Sequence, residues 1–278
     1  MKLNLNTNRD FFDVFQDLAE SGHVKTRANC GGYVPEVYNI MEGDFQDDVP
    51  FILEYALEEG SPVVDVGAGT GRITLPLARE GLKVYALDSD PDMLGQLAQA
   101  TAKAQELEGE VLPILGDMRD FILPEPAAMA LCSVNTFLYL GSVDQQRRAL
   151  SAIRRNLKPG GLLWLDVETR KPSPVSQEPC LVTKTDPATG ALVFYCVQGI
   201  DDNFLGTSQM NDFTMVLGRS AQPELYVQSW TYGWISPKEA EMLLSVEGFK
   251  LEAMLGDYTG REANELSNQL ILLARKIQ

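Results

Sequence analysis

The fold class predicted from this sequence is α/β: a doubly wound, mostly parallel sheet of seven strands with an antiparallel β subdomain inserted before the sheet closes. Three observations predict it. Between residues 62 and 167, short buried-strand runs alternate with helical runs, the pattern of a parallel sheet covered on both faces. The first of these strands empties into a glycine-rich loop that runs straight into a helix. After residue 167 the period changes to successive strand runs separated by turn signals, with no helix of useful length between them.

The elements follow in order. Residues 9–20 place Phe11, Phe12, Phe15, Leu18 and Ala19 on one helical face, and Gly22 ends that helix. Residues 30–38 are rich in glycine and tyrosine and read as a loop. Residues 51–59 form a helix with Pro50 near its first turn. Strands are expected at 63–66, 83–87, 111–115, 128–134 and 162–167, with helices at 71–80, 91–107 and 143–157. Lys158-Pro159-Gly160-Gly161 stops the last helix and turns into the next strand. The inserted strands are 182–185, 192–200, 209–217 and 225–232, the first two separated by Asp186-Pro187-Ala188-Thr189-Gly190. Ser236 then caps a helix with Pro237 at its first position and Glu239 near the capping-box position. Strands at 249–255 and 269–274 close the sheet as a pair. The expected organisation is an N-terminal helical lid at 1–50, a sheet domain made of 51–168 and 236–278, and the antiparallel insertion at 169–235.

Composition narrows the function classes. The chain has 278 residues, 45% of them hydrophobic and 22% charged, as in ordinary globular proteins. Its net charge of −16 repels nucleic acid, and no lysine or arginine run offers a basic face. The adjacent basic pairs are Arg147-Arg148, Arg154-Arg155, Arg170-Lys171 and Arg275-Lys276, two of them within helical patterns. No apolar stretch is long enough to span a membrane or serve as a signal core, so a cytoplasmic protein with reduced thiols is expected. Cys30, Cys132, Cys180 and Cys196 form no Cys-x-x-Cys pair, and no metal site is expected.

The strongest signal is Val63-Val64-Asp65-Val66-Gly67-Ala68-Gly69-Thr70-Gly71. Glycines at a strand end let the backbone turn sharply and let a ligand approach main-chain atoms. The next strand ends in Asp88, placed to accept hydrogen bonds from both hydroxyls of a ribose. The spacing is Gly-x-Gly-x-Gly rather than the Gly-x-Gly-x-x-Gly of dinucleotide sites, which argues against a nicotinamide oxidoreductase. Asp65 to Gly71 resembles motif I of the class I methyltransferases that use S-adenosylmethionine (SAM). The resemblance continues through Ala86-Leu87-Asp88-Ser89-Asp90-Pro91-Asp92-Met93-Leu94, Gly116-Asp117-Met118-Arg119 and Leu157-Lys158-Pro159-Gly160-Gly161, and covers about 51–167. Glu247-Gly248-Phe249 and Gly256-Asp257-Tyr258 also look like the family's C-terminal end.

The resemblance implies SAM as cofactor and S-adenosylhomocysteine as product. Gly67, Ala68 and Gly69 would cradle the methionine part, with Asp65 orienting its amino group and Ser133 nearby. Asp88 would bind the ribose, Met93 would lie on the adenine face, and Asp117 and Met118 would meet the adenine edge. The plain alternatives are a core methionine for Met93 and a turn residue for Asp117.

The acceptor side is less determined. The fourth strand runs into Ser133-Val134-Asn135-Thr136-Phe137-Leu138-Tyr139, which lacks the Asn-Pro-Pro-Tyr motif of nucleobase methyltransferases. The segment looks like that of small-molecule members, where histidine often stands in place of Tyr139. A tyrosine is the poorer base there. Tyr139, Tyr33 and His23, the single histidine, are the candidate catalytic groups, the last two from the N-terminal segment. Tyr38, Asn135, Phe137, Trp230 and Tyr232 are candidate acceptor contacts. Alternation puts Trp230, Tyr232 and Trp234 on one strand face, for a pocket, a subdomain core or a homodimer interface. With few bases available, transfer to a small-molecule amine is favoured over a hydroxyl. Members of the resembling group include amino-sugar and glycine N-methyltransferases. A non-catalytic SAM sensor and a protein side-chain acceptor are the rival readings.

Overall fold

The computed structural model describes residues 17–18, 20–29, 34–104, 107–169 and 180–277. Two sheets organise them. The larger is built from β2 (Val63–Val66), β3 (Lys83–Asp88), β4 (Glu110–Leu115), β5 (Ala127–Cys132), β6 (Leu157–Glu168), β11 (Phe249–Leu255) and β12 (Gln269–Lys276). Its order is β11-β12-β6-β5-β2-β3-β4. The pairs from β6 to β4 are parallel, and β12 runs antiparallel to β6. Every residue of β2 and β5 is buried, as central strands covered on both faces must be. The chain winds outward through β3 and β4, then returns to β5 on the other side of β2. The β2–β5 boundary is therefore the switch point, where an open α/β sheet leaves a crevice at the carboxyl ends of its strands.

The helices are α1 (Pro35–Glu42), α2 (Val49–Glu59), α3 (Thr74–Arg79), α4 (Pro91–Lys103), α5 (Val143–Asn156) and α6 (Pro237–Val246). Asp90, Ser142 and Ser236 cap α4, α5 and α6 with their side chains, and Ser236 with Glu239 completes a capping box. Helix α3 starts at Thr74, later than the spacing suggests, because residues 71–73 stay in the loop. Helix α4 stops at Lys103 rather than 107: Ala104 turns extended, and Leu107 packs on the core beneath the sheet instead. Strand β6 starts at Leu157 rather than 162 and takes up the extra length as a bulge against β5.

The second sheet holds β7 (Cys180–Thr185), β8 (Leu192–Asp202), β9 (Thr207–Leu217) and β10 (Glu224–Gly233) as an antiparallel meander. A fifth strand, β1 (Lys25–Asn29), pairs parallel with β10. It falls between the expected helix at 9–20 and loop at 30–38, inside the segment expected as a helical lid; a parallel edge pairing is non-local and leaves no periodic mark in a five-residue run. Helix α1 joins the two sheets. Its Val37 and Met41, with Val34, pack on Val193, Tyr195, Val216 and Tyr226 of the second sheet. On its other side Asn39 accepts a hydrogen bond from Thr70 Oγ1 in the glycine loop at 2.6 Å. Gln146 of α5 donates to the carbonyls of Leu140 and Gly233, fixing the end of β10 over the larger sheet. Among the described residues, no helix is long and apolar enough to cross a membrane.

Candidate active site

A cavity of about 620 Å3 opens between the carboxyl ends of β2, β3 and β5 and one face of the second sheet. Its floor is the glycine loop. The N–H groups of Gly67 and Ala68 both donate to the Leu87 carbonyl, at 2.8 and 3.0 Å, which staples the loop to β3. Gly67 has φ +78°, and a Cβ there would lie 2.2 Å from Thr136 Cγ2, so both conformation and space require glycine. Gly69, at φ +56°, has nothing within 4 Å of its missing Cβ, which leaves its main chain open to the cavity.

Asp88 is locked in place by the same loop. Its Oδ2 accepts from Gly69 N–H and its Oδ1 from Asp90 N–H, each at 2.8 Å. Burial raises its pKa, and the backbone donors work against that rise. Each oxygen keeps a lone pair for a further donor. This acid pair of acceptors beside an open glycine backbone fits the ribose and methionine parts of SAM. Asp65 lies beneath the loop, 2% exposed, and accepts from Thr74 Oγ1 at 2.6 Å. Burial pushes its carboxyl up to about 6, with the Thr74 bond and the Arg72 charge opposing.

The wall beside the loop rests on a buried ion pair that sequence spacing does not reveal. Arg72 Nη1 and Nη2 reach Asp48 Oδ1 and Oδ2, both at 2.6 Å, with both side chains almost fully enclosed. The guanidinium also donates to the Phe45 carbonyl at 3.1 Å and stands 5.2 Å from the Phe45 ring centroid. Tyr38 touches the same guanidinium and lines the cavity.

The end of β5 is strained. Val134 and Asn135 have φ +49° and +64°, and a β-branched residue in that region is a rare conformation. Asn135 is held there by its Oδ1, which accepts Glu168 N–H at 2.6 Å, and by its own N–H to the Asp166 carbonyl at 3.2 Å. Asp166 is fully buried, accepts from Tyr258 OH at 2.7 Å and from Gln269 Nε2, and is pushed up to about 6 by burial. The strained turn throws the chain into a single 3-10 turn, Thr136–Tyr139. At three residues per turn, Thr136 and Tyr139 share one side and face the cavity.

Phe137 therefore turns the other way. It is fully buried in the main core and lines no part of the cavity, contrary to its expected role as an acceptor contact. His23, within the N-terminal segment, is exposed and is absent from the cavity wall, so it does not stand where a base for this site would. Tyr33 lies outside the described residues. Trp234 falls past the end of β10 and donates to Ser208 Oγ at 2.6 Å instead of facing the cavity. The other expected residues line it: Asp65, Gly67, Ala68, Gly69, Asp88 and Met93 on the floor, and Asp117, Met118, Ser133 and Asn135 at the rim of the sheet. Tyr38, Tyr139, Trp230 and Tyr232 line the far wall. Asp117 is already an occupied acceptor: Arg119 donates to it from its backbone at 2.8 Å and from its guanidinium, which holds the carboxyl below its ordinary value.

That far wall is aromatic. Tyr139 stacks edge-on with Tyr232 at 5.1 Å and tilted on Trp230 at 6.1 Å, while Trp230 and Tyr232 meet at 6.0 Å. Burial raises the Tyr139 phenol well above its ordinary value and pushes Tyr232 up to about 12. Both are hydrogen-bonding phenols, not bases, at neutral pH. Tyr195, Val197 and Met210 of the second sheet complete the wall. Their sequence signal was alternation in 192–200 and 209–217, which gives a face but not what the face meets.

Residues 63–161 match the family model described as a methyltransferase domain. The chain is 24% identical over 229 residues to a cypemycin N-terminal methyltransferase from Streptomyces sp, covering 78% of this chain and 84% of the relative. The structure of the CcbJ methyltransferase from Streptomyces caelestis superposes with a TM-score of 0.73 at 22% identity, covering 89% of this chain and 98% of that one. SAM-bound CalS10, an amino pentose methyltransferase from Micromonospora echinaspora, superposes with a TM-score of 0.65 at 20% identity, covering 89% and 98%.

Proposed function

We propose that this chain, a class I SAM-dependent methyltransferase, transfers its methyl group to the nitrogen of a small-molecule amine seated against the aromatic wall. The observation that carries the amine is the state of the phenols facing the cavity. Tyr139 and Tyr232 are held protonated and cannot deprotonate a hydroxyl acceptor, whereas an amine brings its own lone pair. Aromatic faces also suit a cationic nitrogen. The cypemycin relative and the amino pentose enzyme are named for N-terminal and amino-sugar acceptors, which is consistent with an amine here.

Bound SAM supplies an electrophilic methyl on a sulfonium. In this reading the chain supplies position and dryness. Asp88 takes the ribose hydroxyls, the Gly67–Gly69 backbone takes the methionine part, Asp65 faces its amino group, and Met93 and Met118 bracket the adenine. Asp117 shares its oxygens between Arg119 and the adenine amine. Alignment of this kind is worth roughly 7 kcal/mol or more in favourable cases. The test is transfer of labelled methyl to matched amine and hydroxyl acceptors. Methylation of amines supports the proposal, and methylation of hydroxyls alone overturns it.

A further inference from the structure

Several polar side chains on the cavity face of the second sheet are buried with hydrogen-bonding capacity left over. In the ladder Asp212 of β9 stands opposite Gln228 of β10 and Val197 of β8, and Thr214 stands opposite Tyr195. Cross-strand neighbours and residues two apart share a face. Asp212, Thr214 and Gln228 therefore lie on the face whose Tyr195, Val197, Met210 and Trp230 line the cavity, buried next to those residues and outside the lining itself. Asp212 and Thr214 are fully buried and Gln228 is 2% exposed. Neither oxygen of Asp212 has a partner at hydrogen-bonding geometry, nor do Thr214 Oγ1, the Gln228 amide or the Trp230 indole nitrogen. The Tyr195 hydroxyl is the polar group that acts on Asp212, and the Asp212 charge is felt by Tyr139 and Tyr232 across the cavity wall. Among the described residues no lysine or arginine acts on it. A buried carboxylate in this condition costs the fold stability, and a cationic donor would relieve that cost.

We propose that Asp212 anchors the acceptor nitrogen: a small primary or secondary amine enters as its ammonium, pairs with the Asp212 carboxylate beside Tyr139, Trp230 and Tyr232, and gives that carboxylate its proton. This rests on the amine reading above. An N–H bond breaks, its electron pair stays on nitrogen, and the proton forms an O–H bond on Asp212. The nitrogen lone pair then forms the bond to the methyl carbon while the carbon–sulfur pair passes to sulfur. The positive charge ends on the methylated nitrogen and the sulfur is neutral. Burial pushes the Asp212 carboxyl up to about 8. That lies within reach of an alkylammonium, whose reference is about 10.4 for lysine, and a long way from what an alcohol would need; below it the empty site carries a proton, which passes to solvent as the ammonium pairs with the carboxylate. The groups facing Asp212 are phenols: Tyr195 from β8, Tyr139 from the 3-10 turn and Tyr232 from β10.

The test uses the full chain loaded with S-adenosylhomocysteine and titrated with cyclohexylamine and with cyclohexanol, followed by calorimetry and tryptophan fluorescence. The parent is expected to prefer the amine, and Asp212→Asn to bind it about tenfold more weakly or worse while holding S-adenosylhomocysteine unchanged. Asp212→Asn is also expected to melt higher than the parent near neutral pH, because it removes a carboxyl that folding must otherwise protonate; a merely structural carboxylate would give the opposite. Asp212→Glu keeps the charge and must keep the amine preference, so it carries the test should the asparagine variant fail to fold. Equal amine binding by parent and Asp212→Asn overturns the proposal, as does a parent that binds no amine or prefers the alcohol. A labelled-methyl assay separates this from the function itself. Equal N-methylation by parent and Asp212→Asn removes the anchor and leaves the amine methyltransferase standing, whereas methylation of hydroxyls alone removes both.

Discussion

Asp88 lines the cavity and Asp212 is buried in the sheet whose face walls it, and the two carboxyls differ in what meets their oxygens. Asp88 receives two backbone N–H groups, Gly69 of the glycine loop and Asp90 just past its own strand, each at 2.8 Å. Asp212 receives no hydrogen bond of that quality. The contrast extends to their surroundings. At the glycine-loop end, Asp65 has Thr74, Arg72 has Asp48, and Asp166 has Tyr258. At the second-sheet end, Thr214, Gln228 and Trp230 leave polar atoms unmet. The first end is shaped by the fold and stands ready before any ligand arrives. The second is left for a ligand to complete. Preorganisation suits a cofactor of fixed chemistry, and unmet polar groups suit selection among acceptors, since an analogue lacking the matching group leaves them unpaired.

Four measurements press on this contrast. The largest effect is expected at the satisfied end. Asp48→Asn leaves Arg72 buried without its partner and should cost about 3–5 kcal/mol in urea unfolding. Unchanged stability would mean that the pair does not hold that wall. Next, Asp88→Ala orphans the Gly69 and Asp90 donors and should weaken S-adenosylhomocysteine about 10- to 100-fold by calorimetry, with the fold retained.

The third concerns pH. Asp212, near 8 when folded, keeps a proton over a range where the unfolded chain has lost it, so stability falls as pH rises from the ordinary carboxylate range to about 8 and levels above that. Asp65 and Asp166, at about 6, stop contributing to that fall earlier. Between about pH 6 and 8 the parent should therefore lose up to about 1.4 kcal/mol per pH unit relative to Asp212→Asn, read from paired melting curves. Parallel curves would place Asp212 among the ordinary carboxylates. The smallest effect is expected from Tyr139→Phe. Losing one phenol hydrogen bond should lower kcat/KM by about 0.5–1.5 kcal/mol equivalent without moving the pH profile, because that phenol stays protonated. A displaced profile would make Tyr139 a proton carrier.

The cofactor end was largely legible before the structure. Asp65 through Gly71 is one contiguous run, and Asp88 closes the very next strand, so adjacency in the chain is adjacency in space. That Trp230 and Tyr232 share a face was legible from alternation alone, but not what that face meets, and Trp234 falls past the strand's end. Phe137 was misassigned because the segment reads as an extension of a strand, and only the left-handed Val134–Asn135 turn shows that it enters a 3-10 turn. Asp212 carried a faint signal. It stands at Met210-Asn211-Asp212-Phe213-Thr214, an acid on the face that alternation gives to Met210, but a lone acid within a strand run says nothing of what lies opposite.

By itself, then, the sequence determined the alternation of strands and helices, the glycine loop and the acid of the second strand, because periodicity and short loops are local properties. The tertiary structure decided the Asp48–Arg72 pair, the β1–β10 pairing, the inward turn of Phe137 and the burial of Asp212 in the sheet that carries Trp230 and Tyr232. Each of these depends on strand register or on groups far apart in the chain, and whether a buried charge is met or left open is settled by which surfaces the folded chain brings together.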